Sequence, residues 1–273
     1  MIHFLHTFQP EAILWSWGPI HLYWYGLFVV LGMAAALFIT IKLSHHYGLT
    51  NETVFDLAFW LIVGGLIGAR LYDVGLNLPY YLNHPGKILA IWQGGLAIHG
   101  GIIGGLIVVW LFGRLKKINF WKLSALVVPG LALAQAIGRW GNYFNQEIFG
   151  YPTNQAWGIP IALANRPPIY QNYNFFQPTF LYESLGCLLI FGTLLLFNHQ
   201  VIKKKLLNNN FYVLLVSLYM ILYSILRFCL EFIRIDTTPS FLGLRWPQII
   251  SLLIIAIALI VLKIQLSSKK QLS

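Results

Sequence analysis

The chain has 273 residues, of which 58% are hydrophobic and only 10% charged, with a mean hydropathy of +0.69. A soluble domain carries about 25% charged residues, so this composition excludes a globular surface facing water on all sides. The formal net charge of +10 does not point to nucleic acid, because the lysines stand in short runs between apolar segments, where they suit lipid headgroups and cytoplasm.

Residues 1–19 lack a basic start followed by a short apolar core and a small-residue cleavage site. No removable signal peptide is therefore expected, and insertion falls to the first apolar segment. A membrane-crossing helix needs about 20 mostly apolar residues. Seven stretches qualify: 20–43, 55–74, 94–112, 123–137, 179–198, 211–232 and 247–265. The fourth is short and rich in glycine. The longest connection, 138–178, holds Pro152, Pro160, Pro167 and Pro168 among aromatics and asparagines, which predicts an ordered but irregular head. The expected architecture is an all-α integral membrane protein: seven transmembrane helices in a single polytopic domain, with the head inserted at about 138–178. Cys187 and Cys229 both fall in apolar runs and read as buried free thiols.

Orientation follows from the basic residues. Lys42, then Arg114, Lys116, Lys117 and Lys122, then Lys203, Lys204 and Lys205, then Lys263, Lys269 and Lys270 fall on one side of the seven spans, and Lys87 is the one lysine of the other. The positive-inside rule puts the first set in the cytoplasm, so the N-terminus and head face outward and the C-terminus inward. Arg70, Arg139, Arg166, Arg227, Arg234 and Arg245 all fall in the outward half, with Asp73, Glu147, Glu183, Glu231 and Asp236. The guanidinium fork suits bidentate contact with carboxylate or phosphate, so this segregation points to an anionic ligand on the outer side.

Three segments hold the candidate chemistry. Arg227, Glu231 and Arg234 are spaced four and three apart, which predicts one shared helical face. Counted from Phe211, Arg227 sits on the order of 24 Å up its helix, within the membrane's outer third. An ionisable group at that depth is a functional candidate, against the simpler reading of a structural Arg227–Glu231 salt bridge. His99 stands between glycines. Gly100 and Gly104, Gly101 and Gly105, and Gly64 and Gly68 all have the spacing that lets helices pack closely. The space beside His99 is left for a neighbouring backbone or for a ligand, and its unperturbed pKa near 6.5 suits a general base. The densest segment is 138–150, where Arg139, Asn142, Asn145 and Glu147 alternate with glycines and aromatics; the alternative there is a polar loop held by its own hydrogen bonds. No metal-binding spacing, serine elbow or phosphate-loop lysine is present.

These residues resemble the prolipoprotein diacylglyceryl transferases, bacterial membrane enzymes that start lipoprotein maturation. Residues 138–150 are similar to that family's signature Gly-Arg-x-Gly-Asn-Phe-x-Asn-x-Glu-x-x-Gly, with Tyr143 in place of phenylalanine. Further similarity lies in Trp24-Tyr25-Gly26, Gly68-Ala69-Arg70, His99-Gly100-Gly101, Leu181-Tyr182-Glu183, Arg227-Phe228 with Glu231-Phe232 and Arg234, and Gln248. The resemblance implies transfer of a diacylglyceryl group from phosphatidylglycerol to the lipobox cysteine of a preprolipoprotein signal peptide in the bacterial plasma (inner) membrane. A thioether forms, glycerol phosphate leaves, and the head is periplasmic. It implies that Arg139 contacts the headgroup, that Arg227 is essential, that His99 is the proposed base, and that Tyr25, Asn142, Glu147 and Gly150 belong to the site. Arg70, Glu231 and Arg234 are expected to contact substrate. No cofactor or metal is expected, and the partners are the two substrates and membrane lipids.

The chain departs from the family pattern at Gln93, where aspartate is common, at Gln177 and Phe180, where histidine and glutamine are usual, and at Pro247, where glycine is common. A transporter would also explain buried charge, but it places its site near the midplane with internal repeats, and this polar cluster is asymmetric and outward. A lipid-binding scaffold predicts that His99→Ala is tolerated.

Overall fold

The computed structural model describes residues 2–18 and 20–270. Seven of its helices are long and apolar enough to cross a membrane. In chain order the elements are α1 (Ile2–Thr7), β1 (Ile13–Trp17), β2 (Ile20–Tyr23), α2 (Trp24–Ser44), α3 (Asn51–Leu76), α4 (Leu78–Asn83), α5 (Ile98–Lys116) and α6 (Phe120–Phe144). They continue as β3 (Ile159–Pro160), β4 (Phe175–Phe176), α7 (Thr179–Lys203), α8 (Asn209–Leu230), β5 (Ser240–Phe241), β6 (Leu244–Arg245) and α9 (Trp246–Lys270). The side chains of Lys269 and Lys270, which entered the orientation argument, lie outside the described residues.

Several bounds differ from those expected, each for a local reason. Residues 20–23 pair with β1 as an antiparallel hairpin, so the first span starts at Trp24. Gly94 and Gly95 hold φ of +88° and +71°, a region closed to a right-handed helix, so the third span starts at Ile98. The fourth is not short. It carries Pro129 in its interior and continues to Phe144, so Arg139 and Asn142 stand on a helix and the irregular head begins beyond them. The sixth stops at Leu230, leaving Glu231 and Arg234 in the turn that follows.

The chain divides into two compact units, Thr40–Leu126 and the pair Met1–Ile39 with Val127–Ser273. In the first, α3 packs on α5 through backbone contact. A Cβ on Gly104 would lie 2.3 Å from the Gly64 carbonyl oxygen, and one on Gly100 would lie 2.2 Å from that of Gly68. The space beside His99 is therefore taken, on this side, by neighbouring backbone. In the second unit, Ser184 donates to the Ala136 carbonyl at 2.8 Å, and Tyr219 donates to Gln135 at 3.0 Å. These bonds tie α7 and α8 to α6. The head has its own apolar core, with Phe176, Ile161, Ile159 and Phe149 buried against Tyr143 and Phe180. Gln146 fastens the N-terminal segment to it, donating to the Pro10 carbonyl and accepting from the Ala162 amide, both at 2.6 Å.

Gly104→Ala is expected to destabilise the protein by roughly 1–3 kcal/mol, the cost of overpacking. Gly105→Ala, whose Cβ would meet nothing nearer than Leu61 at 3.9 Å, is expected to change little. Thermal unfolding in detergent compares them, and equal effects would rule out the close helix contact.

Candidate active site

Glu183 lies early in α7 and is 2% exposed. A carboxylate in such a place is tolerated only when paired. Its Oε1 lies 2.7 Å from Arg139 Nη2, and its Oε2 lies 3.6 Å from Arg227 Nη1. Tyr223 donates to Glu183 Oε1 at 3.2 Å and accepts from Arg139 at 3.4 Å. One carboxylate thus holds the guanidinium groups of α6 and α8 together.

The network continues from each arginine. Arg139 donates to Asn142 Oδ1 at 3.3 Å, one helical turn on, and Asn142 donates to Glu147 at 2.7 Å. Arg227 donates to Glu231 at 3.0 Å. Past the helix end, Arg234 Nε is 3.9 Å from Glu231 and donates to Asp236 at 2.7 Å. Arg245 Nη1 is 3.3 Å from Glu231 Oε1 and donates to the Glu231 and Arg234 carbonyls at 3.0 and 2.8 Å. The Arg227–Glu231 salt bridge weighed against function is therefore real, but it is one link of a larger array. Four guanidinium groups (Arg139, Arg227, Arg234 and Arg245) meet three carboxylates (Glu183, Glu231 and Asp236) directly, and Glu147 joins them through Asn142. Burial, and then the charge of Arg227, pull the Arg234 guanidinium below its ordinary pKa, with Asp236 and Glu231 opposing. Arg227 Nη1 is buried and, among the described residues, donates no hydrogen bond.

The glycines of 138–150 have distinct uses. A Cβ on Gly141 would lie 2.8 Å from the Tyr25 ring, so this glycine seats Tyr25 of α2 against α6. One on Gly150 would meet Ile233 at 2.9 Å, where residue 150 bridges Arg234. Gly138 would meet nothing within 4 Å. Among the described residues no group of three or more His, Cys, Asp and Glu side chains is arranged to hold a metal ion.

His99 and Arg70 belong to the Thr40–Leu126 unit. His99 is the second residue of α5, exposed, with its ring centroid 5.9 Å from that of Tyr72. Arg70 differs from the substrate-contacting role expected of it. Its Nε donates to Ile88 O at 2.9 Å, its Nη1 to Gly94 O and Gly95 O at 2.7 Å each, and its Nη2 to the carbonyls of Lys87 and Ala90. Every nitrogen of the fork is engaged, with Asp73 at 3.8 Å. Arg70 clamps the loop leading into His99.

Sequence reading passed over Glu183 and Arg245 as site residues. Glu183 had a usable signal, an acidic residue at the head of an apolar run. Arg245 had only its place among the outward arginines, just before α9.

A family model described as prolipoprotein diacylglyceryl transferase matches residues 12–264. The chain belongs to this family. The phosphatidylglycerol–prolipoprotein diacylglyceryl transferase of a Nostoc species is 41% identical over 94% of this chain and 89% of its own length. Transferases of the same name from Acaryochloris marina and Oceanobacillus iheyensis are 40% and 37% identical, over 92% and 94% of the chain and 89% and 88% of their own. Within the prolipoprotein diacylglyceryl transferase family, then, this member joins its arginines through a buried glutamate and commits Arg70 to a loop.

Arg70→Lys is expected to speed hydrogen exchange across residues 87–97, because three ammonium donors cannot span carbonyls set around a planar fork. Unchanged protection would show that the loop holds itself.

Proposed function

We propose that the chain transfers the diacylglyceryl group of phosphatidylglycerol to the lipobox cysteine of a prolipoprotein. The sulfur forms a bond to the glycerol carbon, that carbon's bond to the phosphate oxygen breaks, and glycerol phosphate leaves. The observation that carries the reading is the buried Arg139–Glu183–Arg227 array at the ends of apolar helices. Phosphatidylglycerol carries a phosphodiester anion, the kind of group a guanidinium fork recognises. Among the described residues Arg227 Nη1 donates no hydrogen bond, and guanidinium forks suit a phosphoryl oxygen. Negative charge moves from sulfur to phosphate during the step, and fixed guanidinium groups in a low-dielectric site stabilise it as it develops.

A cysteine thiol is mostly protonated at neutral pH, so its proton needs an acceptor. We assign that role to His99, exposed at the first turn of α5. Tyr25, Asn142, Glu147 and Gly150 shape the Arg139 side of the site, and Glu231 and Arg234 the Arg227 side. Both substrates come by lateral diffusion in a bacterial plasma membrane, with the N-terminus and head outside and the C-terminus in the cytoplasm. A fluorescent protein fused at the C-terminus is expected to fluoresce; a dark fusion at normal expression would reverse the orientation.

The decisive assay gives purified protein phosphatidylglycerol and a lipobox peptide and follows glycerol phosphate. No release with competent substrates would sink the reading. Arg139→Ala is expected to lose on the order of 100-fold or more in turnover, as when a preorganised donor to developing charge is removed. Arg139→Lys is expected to recover only part, because it cannot reach Glu183 and phosphate together; wild-type activity there would refute bidentate contact. A near-normal rate in His99→Gln would move the proton acceptor elsewhere.

A further inference from the structure

Below the array, α6 and α8 share a second polar contact that no step of the transfer uses. Tyr219 donates its hydroxyl to Gln135 Oε1 at 3.0 Å. Gln135 lies one turn before Arg139 on α6, and Tyr219 one turn before Tyr223 on α8. The Gln135–Tyr219 bond therefore repeats the Arg139–Tyr223 bond one turn deeper on both helices. The rings of Tyr219 and Tyr223 are stacked, with centroids 6.0 Å apart and planes 8° apart. The two contacts are rungs of one ladder, joined along α8 by the stacked rings.

The lower rung lies where water does not readily replace it. Counted back from Leu230, the last residue of α8, Tyr219 is about 16 Å below the helix end, roughly half-way through a hydrocarbon layer of about 30 Å. A hydroxyl or amide left unmatched at that depth is costly. Apolar helix faces in lipid gain little from one register over another, and a buried polar pair is a recognised way to select one. The competing register is poor here. Sliding α8 outward by one turn would set Leu215 against Gln135 and Tyr219 against Arg139, leaving the amide without its donor. The upper rung is the weaker guide, because Arg139 reaches Tyr223 at only 3.4 Å and a long guanidinium side chain can follow a displaced partner.

We infer that Gln135 and Tyr219 are positioning residues for the transfer: their bond sets the register of α8 on α6, and with it the point where Arg139, Tyr223 and Glu183 meet. The inference rests on the proposed function for the reaction that they serve. Each acts through the rung above and not on the reacting atoms. Glu183 Oε1 takes Arg139 at 2.7 Å and Tyr223 at 3.2 Å, so a shift of Tyr223 pulls this three-way contact apart. Arg227 stands one turn beyond Tyr223 on α8 and shifts with it.

Tyr219→Phe, Gln135→Met and the double variant separate positioning from mere support. They are to be compared on the full chain in detergent by thermal unfolding, by turnover of phosphatidylglycerol with a lipobox peptide, and by the guanidinium NMR resonances of Arg139, identified by their absence in Arg139→Lys. Each single variant strands a buried polar partner, so its unfolding midpoint is expected to fall. The double variant strands none, so its midpoint is expected to return close to the wild-type value. Its kcat is nevertheless expected to stay roughly ten-fold low, less than the loss of about 100-fold that a displacement of about 1 Å can cause, and its Arg139 resonances to stay shifted. Recovery of kcat together with the midpoint would overturn the inference, as would wild-type kcat in all three variants or a fall in kcat with the Arg139 resonances unmoved. Should a single variant fail to fold, the double variant carries the test. A wild-type protein without turnover, whose Arg139 resonances still move in the double variant, would count against the transferase reading alone.

Discussion

Guanidinium groups near the ends of apolar helices repel one another, and each strongly resists leaving water. Arg139 and Arg227 stand together because Glu183 lies between them, its two oxygens turned to different arginines. The carboxylate lowers the cost of assembling the pair, and Glu231 pairs with Arg227 in turn. Breaking such a buried link leaves an uncompensated ion, a loss of about 3–5 kcal/mol. The position of α7 against α6 and α8 is therefore set by charge as much as by packing, and the Ser184 and Tyr219 hydrogen bonds fix the same three helices one level deeper.

The Thr40–Leu126 unit solves a different problem. Its helices gain nothing from the hydrophobic effect when lipid is as apolar as they are, so they are held by close backbone approach. Gly64, Gly68, Gly100 and Gly104 provide that approach. Arg70 then satisfies the carbonyls of a loop that no sheet or helix would satisfy. In both units, polar groups inside an apolar solvent are matched by one arginine reaching several partners.

Much of this was legible in the sequence. The seven spans were visible because each needs a long apolar run, and the glycine spacing of α3 and α5 carried its own geometric meaning. The Arg139–Asn142–Glu147 chain fell within one signature. The span ends were less legible. Hydropathy stops at the first charge, whereas the hydrogen-bonded helix of α6 continues through Arg139 to Phe144. Conversely, the spacing of Arg227, Glu231 and Arg234 promised a helical face, but α8 ends at Leu230 and the three are gathered by a turn. Glu183, on α7, and Arg245, just before α9, are distant in sequence from Arg139, and their contacts with the array exist only in the fold. Arg70 misled for a related reason: an arginine that clamps backbone has the same sequence signature as one that awaits an anion.

That clamp has a consequence for how the loop is free to vary. Arg70 recognises main-chain oxygens only, so it constrains the path of residues 87–95 and is indifferent to their side chains, apart from the glycines whose backbone angles the path demands. Gln93 accepts from Lys87 Nζ at 2.6 Å and takes no part in the clamp. The loop before His99 can thus drift in letter while keeping its shape.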